Sequence, residues 1–198
     1  MLTKAELTKL HILKTVAPIF NQNGYAATSM SDITLATSLT KGAIYGHFEN
    51  KEELAIAAFN YNVKSMLLRI GEHLSTNDSP IEKLYLITDF YRNYYNYSKE
   101  LGGCPITNVG VDANNQNTAL LERVRYVVRK IQDQIATLIE DGIKAGEINT
   151  EINAMTFAKR IDTMLQGAIF LTYTMDDDSY LKETTHHIDS IISNELKE

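Results

Sequence analysis

Apolar residues recur at three- and four-residue spacing along nearly the whole 198-residue chain, and only three prolines and ten glycines interrupt them. Strands would need strict alternation, so this periodicity predicts an all-α protein in which each helix buries one face. The interruptions then set the elements. A first helix is expected from about Lys4 to Asn23, with Leu10, Leu13, Ala17 and Phe20 on one face, a kink at Pro18 and Gly24 as its stop. Ser29-Met30-Ser31-Asp32 has capping-box spacing and opens a short helix near Met30. That helix cannot run far as one piece, because Thr37, Ser38 and Thr40 favour turns and caps. Thr40 caps a second short helix, Lys41–Phe48, and Asn50-Lys51-Glu52-Glu53 opens a long one through about His73.

Ser75–Ser79 reads as a linker, and Ser79-Pro80-Ile81-Glu82 combines a cap, a proline at the first helical position and an acid at the third. The helix it opens is expected to reach about Glu100, closed by Gly102-Gly103. A shorter segment after Cys104-Pro105 ends in Asn114-Asn115-Gln116-Asn117, and long helices follow over Thr118–Ala145, Glu151–Met175 and Ser179–Leu196.

No apolar run approaches the roughly 20 residues that span a bilayer. The N-terminus, broken by Lys4, Glu6 and Lys9, lacks a signal-peptide core, and Cys104 is the single cysteine, so a cytoplasmic protein is expected. There is no phosphate-binding glycine loop, no His-Glu-x-x-His and no Gly-x-Ser-x-Gly, and the five histidines lack metal spacing apart from the adjacent His186-His187. The expectation is no enzyme, no catalytic residue, no metal and no cofactor.

A net charge of −6 opposes nucleic-acid binding at first sight, since phosphate contacts need Lys and Arg. Its distribution removes the objection. Residues 1–60 carry five Lys and five acids and sum to zero, so 61–198 supply the whole excess. Within 4–47 the balance is positive, Lys4, Lys9, Lys14 and Lys41 against Glu6 and Asp32. DNA binding is thus permitted at the N-terminal end and disfavoured elsewhere.

Two short helices joined by a tight turn behind a longer supporting helix form the arrangement by which a helix-turn-helix offers its second helix to base edges. Spacing alone leaves a helical ligand carrier open, because short helix pairs are common. Ile33, Ala36, Leu39, Ile44 and Phe48 are spaced to face the supporting helix. Lys41, Tyr45 and His47 lie on the other face, where burial would be costly, and a glycine at position 42 costs about 1 kcal/mol relative to alanine in a helix. Thr28, Ser29 and Thr40 are caps that can also offer hydroxyls and amides to phosphates, and Lys51 is either a phosphate clamp or a solvated side chain.

Asn21–Leu54 reads NQNGYAATSMSDITLATSLTKGAIYGHFENKEEL, and its Gly42-x-x-Tyr45-x-His47-Phe48-x-x-Lys51-Glu52-x-Leu54 frame closely resembles the N-terminal domain of the TetR family of bacterial transcriptional regulators. Phe20, Gly24, Tyr25, Thr28, Ile33, Thr40, Lys41 and Ile44 match as well. One departure is Thr37-Ser38 in the turn, where the family usually has Ala-Gly; serine tolerates a left-handed backbone less well than glycine.

The resemblance implies an N-terminal three-helix helix-turn-helix domain over 1–50 and a larger helical effector-binding and dimerisation domain over 51–198. It also implies a repressor bound as a homodimer to palindromic or near-palindromic double-stranded operator DNA, its recognition helices about one turn of DNA apart, and released by a small-molecule effector or by thiol modification. Its DNA-contacting residues would be Thr28, Ser29, Thr40, Lys41, Gly42, Ala43, Tyr45, Gly46, His47 and Lys51.

Farther on, Gly102-Gly103-Cys104-Pro105-Ile106 and Gln166-Gly167-Ala168 resemble a subgroup in which some members sense electrophiles through the cysteine. Cys104 thus has two readings, a small buried hydrophobe or a sensor thiol. Phe90, Tyr94, Cys104 and Tyr173 are expected on the wall of the effector pocket. For the dimer, the long helices Thr118–Ala145 and Glu151–Met175 are expected to meet a second subunit, with Gln166, Gly167, Phe170 and Leu171 at the interface.

Overall fold

A computed structural model describes residues 2–114 and 116–197. Among them ten α-helices follow one another with no strand: α1 Lys4–Asn23, α2 Met30–Thr37, α3 Lys41–Tyr45, α4 Lys51–Leu74, α5 Pro80–Arg92, α6 Tyr94–Lys99, α7 Pro105–Ala113, α8 Thr118–Lys144, α9 Ala154–Met175 and α10 Ser179–Ile191. A π-helical turn, Ile192–Leu196, closes the series.

The caps explain most of the starts. Thr3 and Ser29 each form a reciprocal capping box, with Glu6 and Asp32, so the first-turn amides of α1 and α2 are satisfied locally. Asn50 Oδ1 accepts from the Glu53 amide at 2.8 Å to open α4, and Pro80 occupies the first turn of α5, where its missing amide costs nothing.

Four boundaries differ from the sequence expectation. The helix expected to run to Glu100 breaks at Asn93, a poor helix former whose amide turns to the Phe90 and Tyr91 carbonyls. The one expected from Glu151 starts at Ala154, because the Asn153 side chain takes the Thr156 amide at 2.9 Å and caps there. The last helix loosens into the π turn from Ile192 onward. The recognition segment is α-helical only to Tyr45, with Gly46 as its cap.

Contacts divide the chain into two units, Met1–Met66 with Ser98–Arg125 and Leu67–Tyr97 with Tyr126–Glu198, a different partition from a cut at residue 50. In the first unit, Ile12, Val16, Ala17 and Phe20 of α1 bury against Ile33, Ile44, Phe48 and Leu54. Full burial of each larger aliphatic or aromatic side chain contributes about 1.5–3 kcal/mol. Leu10, expected on that face, is 41% exposed; Ile12 and Val16 take the buried positions.

The segment after residue 97 joins this unit through side-chain bonds to the end of α1. Asn21 Nδ2 donates to the Leu101 and Gly103 carbonyls at 2.6 and 2.8 Å, and Asn108 Nδ2 donates to the Asn21 carbonyl at 3.0 Å. Gly102, at φ 75°, lies so close to α1 that a β carbon would stand 2.7 Å from the Pro18 carbonyl oxygen. Only glycine fits both the backbone conformation and the contact.

The second unit has its own core, built on Leu84, Ile87, Ile161, Ile169, Leu181 and Ile188 of α5, α9 and α10. Arg92 pairs with Asp189 at 2.6 Å across α5 and α10. The Ile81 amide and the Ser79 hydroxyl both donate to Glu147, holding its carboxyl below the ordinary glutamate range and tying the start of α5 to the loop after α8.

Candidate nucleic-acid interface

The helix-turn-helix is held from beneath by its apolar residues. Ile33 and Ile44 are fully buried and Phe48 is 2% exposed, while Leu39 is half-buried against the same cluster. Ala36 is exposed, contrary to its expected place in the core. Thr37, one turn after Ile33, takes that place instead, at 2% exposure, because its hydroxyl satisfies itself on the Ile33 carbonyl at 2.7 Å. The Thr37 carbonyl in turn meets His11 Nε2 at 3.0 Å, which ties α1 to the end of α2.

Ser38 adopts φ 57°, ψ 27°, the left-handed geometry that glycine normally supplies at a helix end. The turn therefore keeps its shape at the cost of strain on serine. Ser38→Gly is expected to stabilise the protein by about 0.5–1 kcal/mol, a Tm rise of about 2 °C. An unchanged or lower Tm in thermal unfolding would show that Ser38 carries no strain.

α3 presents one face outward. Lys41, Gly42, Ala43 and Tyr45 are exposed, as is Gly46, and His47 is half-buried. Thr40 Oγ1 accepts from the Ala43 amide at 3.2 Å, while the amides of Lys41 and Gly42 precede any intrahelical acceptor. The Lys41 ammonium sits 5.7 Å from the Tyr45 ring centroid, so the two outward side chains stay together. A β carbon built on Gly42 would meet nothing within 4 Å, so no neighbour in the chain requires glycine there.

The remaining expected contacts fall out differently. Ser29 is exposed at the start of α2, bonded to Asp32, whose carboxyl the Ser29 hydroxyl and amide hold below the ordinary aspartate range. Thr28 is fully buried and donates its hydroxyl to the Gly24 carbonyl at 2.8 Å, so its side chain is turned away from the outer face. Lys51 is half-buried with its ammonium 4.4 Å over the Tyr25 ring. Sequence spacing did not indicate Leu35, which α2 exposes at 83% beside Ala36. A large apolar side chain two residues from each of the buried Ile33 and Thr37, and so on the opposite face of α2, was the available signal.

The second unit holds an apolar cavity of about 60 Å³. Its wall comes from Leu67, Ile70 and Leu74 of α4, Ile87 and Tyr91 of α5, Ile131, Gln134, Ile135 and Leu138 of α8, and Asp162 and Leu165 of α9. An open groove of about 320 Å³ between α4 and α8 shares Leu67, Ile70, Leu74 and Leu138 with it. Of the four residues expected on a pocket wall, none lines this cavity. Tyr94 is fully buried, 5.8 Å from the Phe90 ring and 5.2 Å from that of Tyr91. Tyr173 stacks edge-on against Tyr95, and Cys104 lies in the first unit at 1% exposure as the cap residue of α7. So enclosed, the thiol packs as a small hydrophobe.

On α9, Phe170, Leu171 and Met175 are 50%, 40% and 57% exposed, and a β carbon on Gly167 would meet nothing within 4 Å. Gln166 is half-buried and donates to Asp162 at 3.2 Å. The outer face of α8 carries Glu122, Arg125, Arg129, Lys130 and Asp133 around an exposed Tyr126, whereas α9 groups three exposed large apolar side chains within two turns.

Comparisons with known proteins agree along the chain. The family model described as "Bacterial regulatory proteins, tetR family" matches residues 12–58, and "Tetracyclin repressor-like, C-terminal domain" matches 80–188. The structure is similar to that of a TetR transcriptional regulator from Chloroflexus aurantiacus, 34% identical over 98% of both chains with a TM-score of 0.92. A TetR-family regulator from Cytophaga hutchinsonii is 30% identical, covers 99% of this chain and 98% of its own, and gives a TM-score of 0.91. The HTH-type transcriptional regulator YxaF of Bacillus subtilis is 29% identical over 177 residues, 86% of this chain and 87% of its own.

Proposed function

The chain belongs to the TetR family of bacterial transcriptional regulators and is a DNA-binding regulator of transcription, and from that premise we propose that it acts as a homodimeric repressor released from its operator by a small-molecule effector. The observation that carries the DNA contact is Gly42, exposed on α3 between Lys41 and Ala43 with no intramolecular reason for lacking a side chain. A surface kept bare on a short helix fits close approach to a phosphate backbone or base edge. Thr40, Lys41, Gly42, Ala43, Tyr45, Gly46 and His47 form the contacting face in this reading, with Ser29 at the start of α2 and Lys51 at its border. Few of these are cationic, so much of the grip comes from amides, hydroxyls and the second subunit.

The effector half rests on the cavity in the second unit, whose wall is almost wholly apolar. α4 supplies Leu54 to the core under the helix-turn-helix and Leu67, Ile70 and Leu74 to the cavity. A ligand that binds better to a conformation with misplaced recognition helices lowers DNA affinity by the same coupling energy. Dimerisation is assigned to the α9 face of Gly167, Phe170 and Leu171, extended by Met175.

The test is a titration of labelled DNA from upstream of the protein's own coding region at two salt concentrations, with unrelated DNA as competitor. A sequence-specific complex that weakens as salt rises is expected. Binding that the unrelated DNA competes equally well would leave a helical ligand carrier as the better account.

A further inference from the structure

Asp162 is an anomaly in the second unit. It is 4% exposed, on the wall of the cavity, among Leu67, Ile70, Ile87, Ile135 and Leu165. Its two oxygens accept from neutral amides, Gln132 Nε2 at 2.7 Å and Gln166 Nε2 at 3.2 Å. No lysine, arginine or histidine among the described residues is paired with it. Buried carboxylates are normally matched by a cation, because two neutral hydrogen bonds do not replace the water a charge gives up. Burial accordingly pushes this carboxyl above the ordinary aspartate range, while the two glutamine amides oppose the shift.

A purely structural acceptor for the two glutamine amides could have been neutral, yet Asp162 is a charged side chain among otherwise uncharged residues lining the cavity. A carboxylate without a countercharge on an apolar wall instead makes a receptor for a molecule that brings an apolar body and one positive charge. We propose that the cavity and the groove that adjoins it together bind a small organic amine in its ammonium form, with its hydrocarbon part against the α4 and α8 side chains that line both and its N–H groups donated to Asp162. The open groove between α4 and α8, which shares Leu67 and Leu138 with the cavity, is the route in. Gln132 and Gln166, one on α8 and one a turn along α9, hold the carboxylate in place for that contact.

This inference rests on the small-molecule effector reading, and the experiment separates the two. Calorimetry on the intact chain compares benzylamine, benzyl alcohol and benzoate, which share one ring and differ in charge. The amine is expected to bind about tenfold or more tighter than the alcohol, the factor a charge-assisted hydrogen bond supplies, and benzoate weakest. Asp162→Asn is expected to bring the amine to within about twofold of the alcohol, while its binding of benzyl alcohol shows that the cavity is still formed. Equal binding of amine and alcohol by the unmodified protein, or binding of neither, overturns the proposal whatever the variant does. The same amine is then titrated into the operator complex. Release supports both readings, whereas amine selectivity with an unchanged operator complex keeps the site and removes its role as the effector switch.

Discussion

Gly42→Ala is expected to weaken operator binding by about 10- to 100-fold while leaving the protein as stable as before or more stable by up to about 1 kcal/mol. The two effects have opposite causes. Within the chain, a β carbon at position 42 meets nothing within 4 Å, and alanine is the better helix former, so folding is unharmed or helped. Against DNA, the added methyl stands where the proposed contact brings the exposed face of α3 close, and relief of such a clash costs about 1–3 kcal/mol. Thermal unfolding and a DNA titration on the same preparation measure both quantities. Unchanged operator affinity would move the close contact away from Gly42 and leave its glycine unexplained.

With the proposed α9 interface, Phe170→Glu is expected to leave the protein monomeric at micromolar concentration and to abolish operator binding there. Phe170 is half exposed beside Leu171 and Met175, so the monomer loses little of its own packing. At a twofold interface the substitution sets two carboxylates against an apolar surface and near each other, and a buried charge left unpaired costs several kcal/mol. Each 1.4 kcal/mol is a tenfold loss in association, so a cost of about 3 kcal/mol raises the dimer dissociation constant more than 100-fold. Sedimentation equilibrium reads the mass and circular dichroism confirms that the helices remain. A stable dimer of Phe170→Glu with unimpaired operator binding would place the interface on another face.

The helix-turn-helix was legible because its signals are local. Ser29 with Asp32, Thr40 with the Ala43 amide, and the spacing of Ile33, Ile44 and Phe48 each act within one or two turns, and each recurs in the structure. Even the departure at Ser38 could be read, since the turn demands a left-handed residue whatever side chain occupies it. Ala36, spaced to face the supporting helix, and Leu10, on the apolar face of α1, are exposed, because periodicity marks a face and not which part of it a neighbour covers. Thr37 shows the converse: a hydroxyl bonded to its own helix is buried at little cost, which a polar label hides.

By itself, the sequence determined the helical class, most helix starts and the identity of the recognition segment, since capping, proline and glycine effects and 3.6-residue periodicity operate between near neighbours. What only the tertiary structure decided involves residues far apart in the chain. The hold of Asn21 on Leu101 and Gly103 makes 98–125 part of the first unit, and no local pattern announces a bond across 80 residues. The cavity formed at Leu67, Tyr91, Ile135 and Leu165 and not at Phe90, Tyr94, Cys104 and Tyr173, because aromatic residues crowded on one helix fill space against one another as readily as they line it. Asp162 is buried because α4, α5 and α8 close around it, and burial is a property of that enclosure, not of the residue.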